Sequence, residues 1–214
     1  MHKIAKRGSA RAEKGETRRT SHLLRVAKVV CQSGEYPCLI RDVSAEDVSL
    51  RFFHKVVPER RIILEQGNGA TWPIERNWAQ GAEAGYRFAC HVDVDAFTTE
   101  LSPYADRAIR LRMERPAMAA VAGQLHHATL LDLSASGARL EAETEWPVRS
   151  LVRVAIEGFP LRFGHVSWRR GLQHGINFQG GMPLDELARS VRDIQPFHPA
   201  SGKARMRDWT TRAA

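Results

Sequence analysis

Residues 132–141 read DLSASGARLE, and how this stretch folds decides the fold of the whole chain. Just after it, Ala138, Leu140 and Ala142 alternate with Arg139, Glu141 and Glu143, the period of a half-buried strand. DLSASG therefore precedes a strand and forms the turn that feeds it. Asp and Ser side chains bond to nearby backbone and glycine supplies positive φ, so a local turn is the first reading of these six positions.

The same arrangement occurs ninety residues upstream. At that shift Arg25 meets Arg115, Asp42 meets Asp132, and Ser44-Ala45 meets Ser134-Ala135. Leu50 meets Leu140, Trp78 meets Trp168, Gly81 meets Gly171, Gly85 meets Gly175 and Phe88 meets Phe178. The matching types are those tied to special backbone or packing, and an internal repeat governs the fold. Each copy also ends in an amphipathic segment. In PLDELARSVRDI (183–194) Leu184, Leu187, Ala188 and Val191 share a helical face, with Asp185 and Glu186 in the first turn. In DVDAFTTEL (93–101) Val94, Phe97 and Leu101 do the same.

Between these landmarks the period is that of strands. The first copy reads as strands near 26–31, 37–43, 48–53, 61–66, 70–77 and 85–91, with a hairpin turn at Gly67-Asn68-Gly69. The second reads as strands near 119–126, 128–133, 138–143, 151–156, 161–168 and 174–179. Six short strands and one helix per copy predict a mainly β chain, two tandem six-stranded antiparallel β-barrels each followed by a short α-helix. The divisions are a disordered basic tail (1–17), a first domain (18–101), a linker (102–107), a second domain (108–194) and a basic C-terminal tail (195–214). Trp78 and Trp168 are expected to close the barrel cores.

Charge and composition exclude several functions. The net charge is +8, of which residues 1–25 carry +6 and residues 196–214 carry +3, leaving the body nearly neutral. Basic ends on a neutral body argue against a nucleic-acid groove, although a weaker tether to nucleic acid or anionic membrane is conceivable for the tails. Cys31, Cys38 and Cys90 lack C-x-x-C spacing and suit a reducing compartment. The charged start has no apolar run behind it and no stretch reaches the ~18 apolar residues of a membrane span, so a cytoplasmic protein is expected. His126-His127, His165 and His174 lack zinc-ligand spacing, and no cofactor is expected. No G-x-S-x-G elbow, P-loop or dinucleotide fingerprint is present, and nothing assembles a catalytic acid, base and nucleophile; the chain is not expected to be an enzyme.

An Arg-rich lead-in, Asp-x-Ser-x-x-Gly before a strand, a late Trp and a Gly-x-x-Phe strand together resemble the PilZ domain. The resemblance covers about residues 18–101 and 108–194. It is most specific in DLSASG (132–137) with GHVSWRRGLQHGINF (164–178), whose counterparts are DVSAED (42–47) and PIERNWAQGAEAGYRF (73–88). Members of that family are six-stranded barrels, and many are receptors for the bacterial second messenger cyclic di-GMP. The resemblance thus implies a receptor in second-messenger signalling with cyclic di-GMP as ligand and an unidentified effector protein as partner.

The chemistry of such a site follows from the ligand. Guanidinium groups pair bidentately with phosphate or with guanine O6 and N7, and they stack on purine faces. Asp and Ser oxygens accept from guanine N1 and N2, and glycine admits close backbone approach. In the second copy this selects Arg110, Arg112 and Arg115 with Asp132, Ser134 and Gly137. In the first it selects Arg18, Arg19 and Arg25 with Asp42 and Ser44. The lead-in is expected to be loose when free and to fold over the nucleotide. The family's lead-in has two arginines four apart; Arg25 and Arg115 fit the second position, but the first is Ser21 or Leu111, and Asp47 replaces the glycine in the first copy. Those departures define the alternative, a degenerate interaction module that binds no nucleotide.

Overall fold

The computed structural model describes residues 21–55, 57–99 and 108–195. Arg18, Arg19, Leu101, the expected linker and most of both tails lie outside the described residues.

Tight turns built on left-handed residues set the strand ends. Gly81 (φ 61°) and Gly171 (φ 56°) occupy the same turn in the two copies, and Gly69 (φ 89°) ends the Gly-Asn-Gly hairpin. At Ala122 (φ 49°) and Gly123 (φ 80°) two successive residues are left-handed, as a two-residue primed hairpin requires. This corrects the strand expected at 119–126. The turn cuts that stretch, because the alternation there continues across a reversal of direction, which hydrophobic period alone does not register.

The first copy consists of β1 (Ser21–Cys31), β2 (Gly34–Val43), β3 (Asp47–Phe52), β4 (Arg61–Glu65), β5 (Thr71–Gln80), β6 (Glu83–Phe88) and α1 (Val94–Thr99). The second consists of β7 (Leu111–Val121), β8 (Gln124–Ser134), β9 (Gly137–Ala142), β10 (Leu151–Ile156), β11 (Phe159–Arg170), β12 (Gln173–Phe178) and α2 (Leu184–Ile194). All neighbours pair antiparallel, in the order β1-β2-β3-β6-β5-β4 and its counterpart β7-β8-β9-β12-β11-β10, and each sheet closes on itself. The fold is two closed six-stranded barrels, each followed by a helix. Closure removes the sheet edges that would otherwise invite strand addition.

Alternate residues fill each barrel. Val29, Tyr36, Ile40, Leu50, Leu64 and Tyr86 are buried in the first; Ala119, Leu130, Leu140, Val154, Val166 and Ile176 in the second. Helix α1 starts with Asp93 accepting from the N–H groups of Asp95 (3.0 Å) and Ala96 (3.2 Å), and it presses Phe97 against Trp72 and Phe88. Helix α2 buries Leu187, Ala188, Val191 and Ile194. The core tryptophan of the second barrel is Trp146, stacked on the fully buried His174 with ring centroids 4.4 Å apart.

Trp78 and Trp168 do not close the cores. They are 48% and 38% exposed and lie on the barrel surfaces over Gly85 and Gly175. A Cβ on either glycine would sit 2.0 Å from the indole Nε1, so each Trp–Gly pair is one unit held in cross-strand register. That is why the two types recur together in the repeat.

The barrels meet through charge. Lys28 on β1 pairs with Glu35 (2.8 Å) and Glu65 (3.1 Å), and Arg112 on β7 reaches the same two carboxylates at 2.8 and 2.9 Å. Glu35 also accepts from the Arg112 N–H, and Lys28 donates to the Arg110 carbonyl. Gln195, which the sequence assigns to the C-terminal tail, is buried at the same junction. Its Oε1 accepts from the Glu35 N–H at 3.1 Å, and its carbonyl accepts from the Tyr36 hydroxyl.

Candidate functional site

The end of β8 and the start of β9 form a corner that gathers Asp132, Ser134 and Gly137. Asp132 stands in register with Arg139, and a bulge separates that pair from Leu130↔Leu140. Its carboxylate is buried and carries two guanidinium groups: Arg110 on Oδ1 at 3.1 Å and Arg139 on Oδ2 at 2.8 Å. Both arginines keep a third or more of the side chain in solvent, and each guanidinium has more N–H groups than Asp132 takes up. A buried anion here holds two cations side by side. Alone, the arginines would repel; over one carboxylate they are held side by side, and guanidinium donors of this kind can pair with an anion or a guanine edge.

Ser134 is committed to the turn. Its Oγ donates to the Gly137 carbonyl at 3.2 Å and lies 3.5 Å from the Ser136 Oγ. Gly137 lies outside the left-handed region, which corrects the expectation that it supplies positive φ. A Cβ there would meet the Ile176 carbonyl oxygen of β12 at 2.1 Å, so the glycine is required by close backbone approach between strands.

The described part of the lead-in is paired into the barrel in both copies. Residues 21–31 and 111–121 are strand, and each passes a bulge, between His22 and Arg25 and between Arg112 and Arg115. Backbone ladder bonds to β2 and β8 order the segment. Arg112 faces Asp132 in Cα register but sends its side chain to Glu35 and Glu65. Arg115 donates to the Ile194 carbonyl at the C-terminal end of α2, where the helix dipole favours a cation. Arg25, partly buried, pairs in register with Ile40. Leu111 is fully buried, so the position the family fills with arginine is core here.

The equivalent corner of the first barrel has different chemistry. Asp42 contacts the His22 Nδ1 and accepts from the Ser49 hydroxyl at 2.7 Å, where Asp132 has two arginines. The Ser44 Oγ accepts from the Asp47 N–H at 3.0 Å and, like Ser134, serves its turn. Asp47 accepts from Asn77 at 3.0 Å and faces Arg87 at 3.6 Å. These groups line an open cleft of about 650 Å³ with Trp78 on its wall. Two carboxylates against one guanidinium suit an anion poorly.

Arg110, Asp132, Ser134 and Gly137 thus meet at one corner, Asp42 and Ser44 at the other, while Arg112 and Arg115 point elsewhere. The residue missed from the sequence is Arg139. Its signal was available: two positions beyond Gly137, it lies on the strand face that alternation assigns to solvent. Among the described residues no group of three or more His, Cys, Asp or Glu could hold a metal ion, and no helix is long and apolar enough to cross a membrane.

Residues 106–193 match the family model of the PilZ domain. The second barrel is a PilZ domain. The first repeats its barrel and helix at a constant shift of ninety residues. No curated protein matches the chain. Solved structures similar to it include the Borreliella burgdorferi PlzA protein in complex with c-di-GMP, at 13% identity over 81% of this chain and 88% of that one, with a TM-score of 0.35. YcgR from Escherichia coli in complex with c-di-GMP is 11% identical over 78% and 82%, with a TM-score of 0.32. The Bacillus subtilis inhibitor of motility is 8% identical over 81% and 96%, with a TM-score of 0.32.

Proposed function

We propose that the chain is a non-enzymatic receptor for cyclic di-GMP, acting in the cytoplasm in bacterial second-messenger signalling, and that its second barrel holds the nucleotide. The observation that carries this reading is the Arg110–Asp132–Arg139 cluster at the turn of a PilZ domain. Two guanidinium groups on a buried carboxylate match a phosphodiester or the O6/N7 edge of guanine, and no reaction is required of them. The corner of the first barrel, with His22 and Ser49 on Asp42 and the Asp47 carboxylate in the cleft, is read as unoccupied by nucleotide. Bound nucleotide is read out by an effector protein.

Titration calorimetry with cyclic di-GMP tests the proposal. Wild-type protein is expected to bind, and Arg139→Ala to weaken binding by about 5- to 150-fold, the loss of one bidentate contact. Asp132→Ala removes the anchor of both arginines and is expected to cost more. Folded wild-type protein that gives no heat at high micromolar nucleotide refutes the reading.

A second reading, a module that has given up the nucleotide, is favoured by one specific observation: Arg112 and Arg115 are spent on Glu35, Glu65 and the end of α2. Ser21→Arg with Asp47→Gly separates the two. Binding that appears only in this variant supports the second reading; binding already present in the wild type supports the first.

A further inference from the structure

The constant shift of ninety residues allows the outer faces of the barrels to be compared position by position. On the first barrel, Lys28 of β1 pairs in register with Glu65 of β4 and Pro37 of β2, and Val30 with Glu35. Lys28, Glu35 and Pro37 are buried although they point out of the barrel, because β7 and the end of α2 cover them. On the second barrel the same positions are Met118, Ala155, His127, Ala120 and Leu125, in the same register. Among the described residues nothing buries them: Met118 and Ala120 are half-buried, His127 and Ala155 are exposed, and Leu125 is 64% exposed.

The three charged docking residues, Lys28, Glu35 and Glu65, are exchanged for Met118, Leu125 and Ala155, with His127 the polar member of the set. One row runs Leu125↔Ala120↔Arg153↔Phe163 over strands β8, β7, β10 and β11, with Phe163 53% exposed; Leu151 lies farther along β10 at 68%. Large apolar side chains exposed together on one face in this way mark interaction sites. Because the barrel is closed, strand addition is excluded, and a partner must pack on the face.

We propose that this face of the second barrel docks a second copy of the chain in a two-fold arrangement. The equivalent face is already an interface within the chain, so the architecture is built to be covered there. A head-to-tail contact repeating the internal one is ruled out by chemistry. Glu35 and Glu65 are replaced by Leu125 and Ala155, which offer Arg112 no partner, and Arg112 is engaged in its own chain. A two-fold axis instead sets the patch against itself, apolar on apolar. Arg153, the one charged side chain of the row, has a stem that can lie along the partner and a guanidinium suited to the face of its Phe163.

Sedimentation of the full chain across the micromolar to submillimolar range tests this. The wild type is expected to pass from monomer to dimer with concentration, and Leu125→Lys with Phe163→Glu to raise the dimer dissociation constant by about 30-fold or more. Both positions are exposed, so the melting temperature is expected to hold. If the double variant melts early, Leu151→Gln alone replaces it, with a weaker shift in the same direction. A wild type monomeric throughout, a dimer indifferent to these substitutions, or wild-type monomer sedimenting with anionic vesicles through this face overturns the proposal.

Discussion

Replacing Glu35 by Gln tests how the barrels are joined. The Glu35 carboxylate is buried and receives Lys28 Nζ at 2.8 Å, Arg112 Nε at 2.8 Å and the Arg112 N–H at 2.9 Å. The amide keeps the shape but removes one negative charge. Lys28, also buried, then faces only Glu65, and two cations share one anion. Breaking a buried ionic group on one side costs about 3–5 kcal/mol. Arg112 is more than a third exposed, so its share is screened and the lower end of that range applies. A loss of about 3 kcal/mol is expected by urea denaturation, and because the buried core of the square lies away from solvent, added salt should recover little of it. Converting the square to apolar residues together (Lys28→Met, Glu35→Leu, Glu65→Ala, Arg112→Leu) is expected to be neutral or stabilising, since no charge is left without a partner. A Glu35→Gln cost below about 1 kcal/mol would refute the reasoning: the square would then behave as an exposed surface network.

Gly175→Ala places a methyl 2.0 Å from the Trp168 Nε1 and is expected to destabilise by about 1–3 kcal/mol, with most of the loss recovered in Trp168→Ala, as thermal melts of the single and double variants would show. Burial, and secondarily the Arg169 charge, hold the His174 pKa below its usual value, so the unfolded chain binds the proton more readily than the folded one. His174 therefore contributes full stability above about pH 6.5, lost as pH falls through that value toward the folded pKa; denaturation midpoints compared near pH 7.5 and pH 5 should show the loss, and His174→Phe should flatten it. With an aromatic thiol reagent, native protein should yield the exposed Cys90 rapidly, whereas the buried Cys31 and Cys38, whose thiol pKa values burial raises, should react only on unfolding.

What the sequence made legible was set by local constraint. Gly81 and Gly171 occupy backbone that other residues avoid, and Trp78–Gly85 and Trp168–Gly175 are pairs in which each member demands the other. Those requirements fix residue type at fixed spacing, so they survive as a visible repeat. The sidedness of the tryptophans was not legible, because alternation gives two faces without saying which is the inside when a large indole covers a glycine on the outside. The fates of Arg112 and Arg115 were hidden for another reason. Their partners, Glu35, Glu65 and the Ile194 carbonyl, are between 47 and 79 residues away, and nothing near either arginine marks the direction of its side chain. Arg139 lies two residues past the turn, in the strand rather than in the Asp-x-Ser-x-x-Gly motif, and only the cross-strand register with Asp132 brings it to the carboxylate.

The two copies keep one scaffold and differ at the same places, and those differences carry the functional argument. At the corner, Asp42 of the first copy is met by His22 and Ser49, whereas Asp132 of the second carries Arg110 and Arg139, the latter at the position equivalent to Ser49, so the second barrel mounts two arginines where the first has a histidine and a hydroxyl. On the outer face the direction reverses: the first copy carries Lys28, Glu35 and Glu65, engaged with its neighbour, and the second carries Met118, Leu125 and Ala155, which no described residue buries. Arg112 stands between the two places, since its Cα faces Asp132 in register while its side chain reaches Glu35. A ligand that engaged Arg112 would have to draw it from Glu35 and Glu65, weakening the junction by the few kcal/mol worked out above. The coupling is reciprocal, so Glu35→Gln should tighten nucleotide binding by the same mechanism if Arg112 takes part, and leave it unchanged if Arg110 and Arg139 suffice. The calorimetric titration of that one variant therefore decides whether the junction between the barrels belongs to the receptor site or only holds the chain together.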